Sequence, residues 1–312
     1  MKIPPLSKTR MLTPTPGERF TANPAVVFFL FFVVMLLSQL GRSGISEGSL
    51  FVAKAAALPM TYPRFMLIEL FATLFTIVVV LLYCMLCEKR SLLSLGFTRR
   101  GWLTEYGIGL LGGVLMFGVA VLLCVATGTV TVQVSASSPS WGLIGLFLLG
   151  FLIQGMSEEV LCRSYLMVSL SRGWPLWLCA VLNALIFSVL HLGNSNVSVI
   201  ALVNIFLFGL FASLLTIRRG SIWMVGALHS MWNFSQGNLF GVPVSGIRGF
   251  PSPLVSTLET GGWKELFNGG AFGLEGGLAV TMILILSCTI LLFLPTKKSE
   301  IASENNDGLS QA

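Results

Sequence analysis

The chain has 312 residues, of which 54% are hydrophobic and only 10% charged, with a mean hydropathy of +0.86 and a formal net charge of +6. That leaves too little polar surface to clothe a soluble globule of this size, which excludes a water-soluble enzyme and points to a polytopic membrane protein. The excess of cations is accounted for by membrane topology and anionic lipid, and no nucleic-acid partner is expected.

Apolar runs of about 20 residues, enough to cross a bilayer, fall at roughly 24–41, 65–87, 104–127, 141–168, 174–192, 197–217, 221–240 and 276–295. The expected fold is therefore all-α, with about eight transmembrane helices in a single domain over 23–297. A disordered cytosolic tail at 1–22 and a polar cytosolic tail at 298–312 are expected to flank it. The first run follows a basic leader, yet the small residues Ala55, Ala56 and Ala57 lie well past the apolar core and beside Lys54, so it reads as a retained helix rather than a cleaved signal. Thirteen cations, including Lys8, Arg10, Lys89, Arg90, Arg172, Arg218 and Arg219, fall on one side, against Arg42, Lys54, Arg64, Arg248 and Lys264 on the other. The positive-inside rule then places both termini in the cytoplasm. The six cysteines lie in or at the ends of apolar runs, and the Cys84-x-x-Cys87 pair lacks the partners of a zinc site. The connection from Gly241 to Gly273, rich in Gly and Pro, is long enough to be functional or mobile, or to fold back toward the membrane.

Both histidines of the chain, His191 and His229, and its one adjacent acid pair, Glu158-Glu159, lie inside apolar runs. Ionisable groups in a membrane helix are functional candidates. On the fourth helix Glu159 and Arg163 have the i,i+4 spacing and order of an ion pair, which leaves Glu158, one residue round the helix, without a helical partner. Phe187 and His191 share a face of the fifth helix, and His229 and Asn233 share a face of the seventh. A carboxylate with one histidine can activate water, while a second histidine and an amide can stabilise an oxyanion. The bland alternative is interhelical glue, worth about 0.6 to 2 kcal/mol per hydrogen bond; Asn183, Asn204 and Glu69, the last close to Arg64, are read that way. Asp307 is the only aspartate, which excludes a paired-aspartate mechanism, and no H-E-x-x-H occurs. Ser245-Gly246 lies in a loop without an evident histidine base.

Taken in order, Glu158-Glu159-x-x-x-Arg163, Phe187-x-x-x-His191 and His229-x-x-x-Asn233 resemble the motifs of the CAAX prenyl protease and bacteriocin-processing (CPBP, or Abi) family of intramembrane proteases, and Asn204-Ile-Phe-Leu-Phe-Gly209 resembles its less polar motif. Ser164 departs from the glycine common after the arginine. The resemblance implies a CAAX-protease-like helical bundle with its protease core at about 141–240. By it, Glu158 and His191 activate the water, His229 and Asn233 stabilise the oxyanion, and Glu159, Arg163 and Phe187 support the site.

The function expected is an intramembrane endopeptidase acting on membrane-anchored or amphipathic peptides, in a bacterial inner membrane. The alternative is a non-catalytic scaffold or bacteriocin-immunity-type protein that binds a partner peptide; a transporter is disfavoured by the absence of repeated halves. No cofactor and no metal ligand are expected, zinc being the competing reading. The cavity is expected between helices four, five and seven, opening toward the cytosol. One tension remains: at about 1.5 Å per residue, Glu158 lies roughly 18 Å from the cytosolic end of its helix and His229 about 12 Å, but His191 near 26 Å if its helix starts at Trp174. A shared site requires a later start or a strong tilt.

Overall fold

The structure, a computed structural model, describes residues 4–19, 23–136, 138 and 140–296. Among the described residues five helices are long and apolar enough to cross a membrane: α1 (Pro24–Ala55), α2 (Tyr62–Cys87, interrupted at Thr73), α3 (Trp102–Ala126), α4 (Trp141–Leu170) and α6 (Val199–Arg219). Two further apolar helices are shorter, α5 (Leu176–Val189) with 14 residues and α9 (Leu278–Phe293) with 16, and α7 (Trp223–Phe234) has 12 before a π-helical turn at Ser235–Leu239. At about 1.5 Å per residue these three fall short of the roughly 30 Å hydrocarbon core.

Local chemistry sets several of these boundaries. Ser140 Oγ accepts from the Leu143 N–H (3.4 Å) to start α4, Ser198 Oγ accepts from Ala201 (3.1 Å) to start α6, and Gly220, in the left-handed region at φ 64°, ends α6. Within α4 the regular α-helix stops at Glu159 and a π-helical stretch runs over Val160–Met167. This wider turn sits directly after the acid pair, and such turns recur at functional sites.

The most extensive helix contact joins α3 to α7, followed by α4 with α7 and α5 with α6. Glycines permit this approach. A Cβ on Gly113 of α3 would meet the Leu228 carbonyl at 2.4 Å, and one on Gly155 of α4 would meet Ser230 N at 2.5 Å. At the edge of the bundle, α1 leaves Phe29, Leu36 and Leu40 exposed, as lipid contact requires.

The expectation of an all-helical chain needs a small correction. Strand β1 (Val130–Val134) pairs antiparallel with β2 (Leu254–Leu258), Val130 opposite Leu258. The connection after residue 240 is thus structured, with β2, the short helix α8 (Gly262–Asn268) and two 3-10 turns. It folds back on the bundle, where Phe250 packs against Phe147 and Phe151 at 5.7 and 5.5 Å.

In the N-terminal segment, much of which is exposed, Thr9, Met11 and Leu12 are buried, the last two on a 3-10 turn. Arg218 donates to the carbonyls of Pro4, Pro5, Leu291 and Leu292 and to Thr296 Oγ1, tying this segment to α6 and the end of α9. Arg172 donates to the Leu12 carbonyl and pairs with Glu18 at 3.1 Å. The expected tail at 298–312 lies outside the described residues.

Candidate active site

Glu158 and Glu159 sit at the end of the α-helical part of α4 and meet different surroundings. Glu159 is fully buried: its Oε1 accepts from Arg163 at 2.9 Å and from His229 Nδ1 at 2.8 Å. Arg163 also donates to the Gly209 carbonyl at 3.1 Å and lies 4.5 Å from the centre of the Phe187 ring. The ion pair expected from spacing is present, and it extends to the imidazole of α7. Glu158 instead faces a cavity of about 630 Å³, with 33% of its side chain exposed. Gln154 donates to its Oε1 at 2.6 Å, while its Oε2, 3.7 Å from His229 Nε2, has no hydrogen-bond partner.

His191 and His229 line the same cavity. Helix α5 begins at Leu176, close to Trp174, and ends at Val189, so His191 stands in the turn beyond it. Its backbone N–H goes to Ser188, and its Nδ1 instead meets the Phe187 carbonyl at 2.7 Å. A carbonyl only accepts, so Nδ1 carries the proton and Nε2 of the neutral ring is left as the base. The depth mismatch in the count along separate helices does not keep His191 away from the cavity that Glu158 faces. Phe187 lies between the groups, 4.7 Å from the His191 ring and 6.1 Å from that of His229.

Asn233 donates to Gln154 Oε1 at 3.0 Å, which leaves its second N–H free of that bond. Gln154 thus joins Glu158 to Asn233, a role not read from the sequence, although its position four residues before Glu158 on one helix face was the available signal. Glu275 was also missed. Its carboxylate lines the cavity and accepts from Trp232 Nε1 (3.0 Å), Ser245 N (3.0 Å) and Ser245 Oγ (2.8 Å), so Ser245 serves to hold the folded-back loop. Glu69, read from the sequence as a bland helix residue, lines the cavity as well, whereas the nearby Arg64 donates to the Pro59 carbonyl. Asn204 is bonded to the Glu275 and Gly277 carbonyls and to Thr281, and Asn183 to the Cys162 carbonyl, both as helix glue. Ser164, the departure from the family pattern, donates to the Leu95 carbonyl at 2.6 Å. Among the described residues no group of three or more His, Cys, Asp or Glu is placed to hold a metal ion.

The cavity is broader than expected, since α1, α2, α6, α9 and the folded-back loop also wall it. Its well-exposed lining residues include Tyr62 (54%) and Ile247 (48%). Tyr62 starts α2, whose other end meets the N-terminal segment, where the Arg19 N–H donates to the Glu88 carbonyl at 2.6 Å. These exposed lining residues therefore lie at the end of the bundle away from the N-terminal segment.

No curated protein matches the chain. Residues 140–235 match the family model described as type II CAAX prenyl endopeptidase Rce1-like. That stretch runs from the Ser140 cap of α4 to just past Asn233 and contains the acid pair, both histidines and Gln154. Residues 140–235 of this chain therefore carry the Rce1-like domain of a CAAX-type intramembrane protease family.

Proposed function

We propose that the protein is an intramembrane endopeptidase that hydrolyses peptide bonds of membrane-associated or amphipathic substrates without a metal, in a bundle of about eight membrane helices. The observation that carries this reading is Glu158, whose side chain is one-third exposed to a cavity that both histidines line and whose Oε2 accepts no hydrogen bond, with His229 Nε2 3.7 Å away. Glu158, held at Oε1 by Gln154, and His191, with Nε2 unprotonated, take the proton of a water as its oxygen attacks the substrate carbonyl. The oxyanion is met by the second N–H of Asn233 and by His229 Nε2. Donation at Nε2 requires His229 to carry both ring protons, and Glu159, itself braced by Arg163, is the carboxylate that balances that charge. The abstracted proton passes to the leaving amine as the tetrahedral intermediate collapses.

With the cation-rich loops in the cytoplasm, the mouth beside Tyr62 and Ile247 faces the opposite compartment, and substrates enter from that side or laterally from the bilayer. The test compares membrane proteomes of wild-type, Glu158→Gln and His191→Ala cells. Peptides that mature in wild type should accumulate uncleaved in both variants, with each variant protein still inserted at wild-type level. If no peptide accumulates and the cellular phenotype survives both changes, the scaffold reading replaces this one.

A further inference from the structure

Four arginines of the bundle meet four different fates. Arg90 donates to the carbonyls of Ser94 and Ser164 and pairs with Glu88; Arg163 is spent on Glu159 and Gly209; Arg218 makes five bonds. Each is held by an ion pair or by several main-chain carbonyls, although Arg163 Nε, like that of Arg42, is buried without a hydrogen-bond partner. Arg42 differs. It stands well inside the 32-residue α1, lines the cavity that Glu158 faces, and makes a single long hydrogen bond, NH1 to Gln39 Oε1 at 3.4 Å. Its Nε is buried with no partner, and among the described residues no carboxylate lies within ion-pair distance of it. Glu69, on the neighbouring α2, lines the same cavity without closing that pair.

A guanidinium whose Nε is buried without an acceptor is costly unless that donor is used. Five N–H donors in a planar fork, aimed at a peptide-sized cavity, suit a carboxylate bound through two parallel bonds. We propose that Arg42 is a specificity-determining residue that binds a carboxylate of the substrate peptide, either its C-terminal group or an acidic side chain. The assignment rests on the proteolytic reading for the word substrate, but the site lies on α1, outside the matched segment, and binding needs no hydrolysis.

The test uses the purified full chain in phosphatidylcholine nanodiscs, with intrinsic tryptophan fluorescence, to which the cavity-lining Trp232 contributes, as readout. The probes are N-dodecanoyl-leucine, its amide, N-dodecanoyl-aspartic acid with an amidated α-carboxyl, and dodecyl phosphate. Wild type should bind one of the two carboxylates about tenfold or more tightly than the neutral amide, as expected for a charge-assisted bidentate contact. Preference for the leucine acid assigns the C-terminal carboxylate, and preference for the aspartyl probe assigns the side chain. Arg42→Gln should abolish the preference; comparison between the two proteins cancels differences in membrane partitioning. Arg42→Lys, which keeps the charge and loses the fork, should lose most of it, and Glu69→Gln should keep it. A preference that survives Arg42→Gln in a folded protein, or no binding of any carboxylate to wild type, overturns the proposal. Tighter binding of dodecyl phosphate than of either carboxylate assigns the site to lipid and overturns it as well. Failure of the proteolytic reading would instead leave these affinities unchanged.

Discussion

Arg163 shows how one buried side chain links stability to chemistry. It is fully buried, and its guanidinium holds Glu159 at 2.9 Å while Glu159 in turn accepts from His229. Arg163→Met leaves a buried carboxylate with only the imidazole beside it, which costs about 3–5 kcal/mol when a buried pair is broken from one side. Thermal unfolding in detergent should show that loss. The double variant Arg163→Met, Glu159→Leu removes both charges and should recover most of the stability, because an apolar pair of similar volume is often as good as the ion pair. Proteolysis should stay lost in the double variant despite its recovered stability, since His229 Nδ1 then lacks the Glu159 acceptor that orients the ring. If the single variant unfolds at the wild-type temperature, the coupling described here is wrong. The i,i+4 order of Glu159 and Arg163 was legible in the sequence because helical geometry fixes that contact. Gln154 was not, because a lone glutamine gives no sign of which groups its amide joins until α7 is placed beside α4.

Among the elements, α7 decides whether the groups meet, since it carries His229 and Asn233 against α4 and packs on α3. Gly155 lies at the α4–α7 contact, where a Cβ would meet Ser230 N and Oγ at 2.5 Å and Ser230 Cα at 2.7 Å. These are mostly backbone atoms, so Gly155→Ala must push the helices apart. The expected cost is about 1–3 kcal/mol of stability, as for overpacking elsewhere. Activity should fall by at least about tenfold, because hydrogen-bonded catalytic groups tolerate little displacement. Gly112→Ala is the control: its Cβ would meet only the flexible end of Leu228 at 3.4 Å, and stability and cleavage should stay near wild type. Equal behaviour of the two variants would reject close α4–α7 approach as the device that assembles the site. The helices themselves were readable as apolar runs, but the π-helical stretch after Glu159 and the shortness of α7 depend on tertiary packing that composition does not encode.

At the scale of the whole molecule, the two ends of the bundle are built differently, and this bears on which compartment supplies the substrate. One end is sealed. Arg218, Arg172 and Lys8 fix residues 4–19 against α6, α9 and the end of α4, mostly by donating to backbone carbonyls. That explains why a polar segment reads as a disordered tail: its partners are main-chain oxygens, which leave no trace in the side-chain pattern. The other end is open beside Tyr62 and Ile247, and Arg42 reaches into the same space. Native Cys87, exposed at the sealed end of α2, supplies an internal marker against which an introduced thiol can be compared. In a variant with the other five cysteines replaced, Ile247→Cys should react with a membrane-impermeant maleimide on intact cells, while Cys87 should react only in inverted vesicles. Occupation of the cavity by N-dodecanoyl-leucine should slow labelling at position 247 and leave Cys87 unaffected, since the acyl peptide fills the space behind the mouth. Labelling of Cys87 rather than position 247 on intact cells would reverse the orientation and return the mouth to the cytosol, because the two thiols stand at opposite ends of one rigid bundle and cannot both change sides.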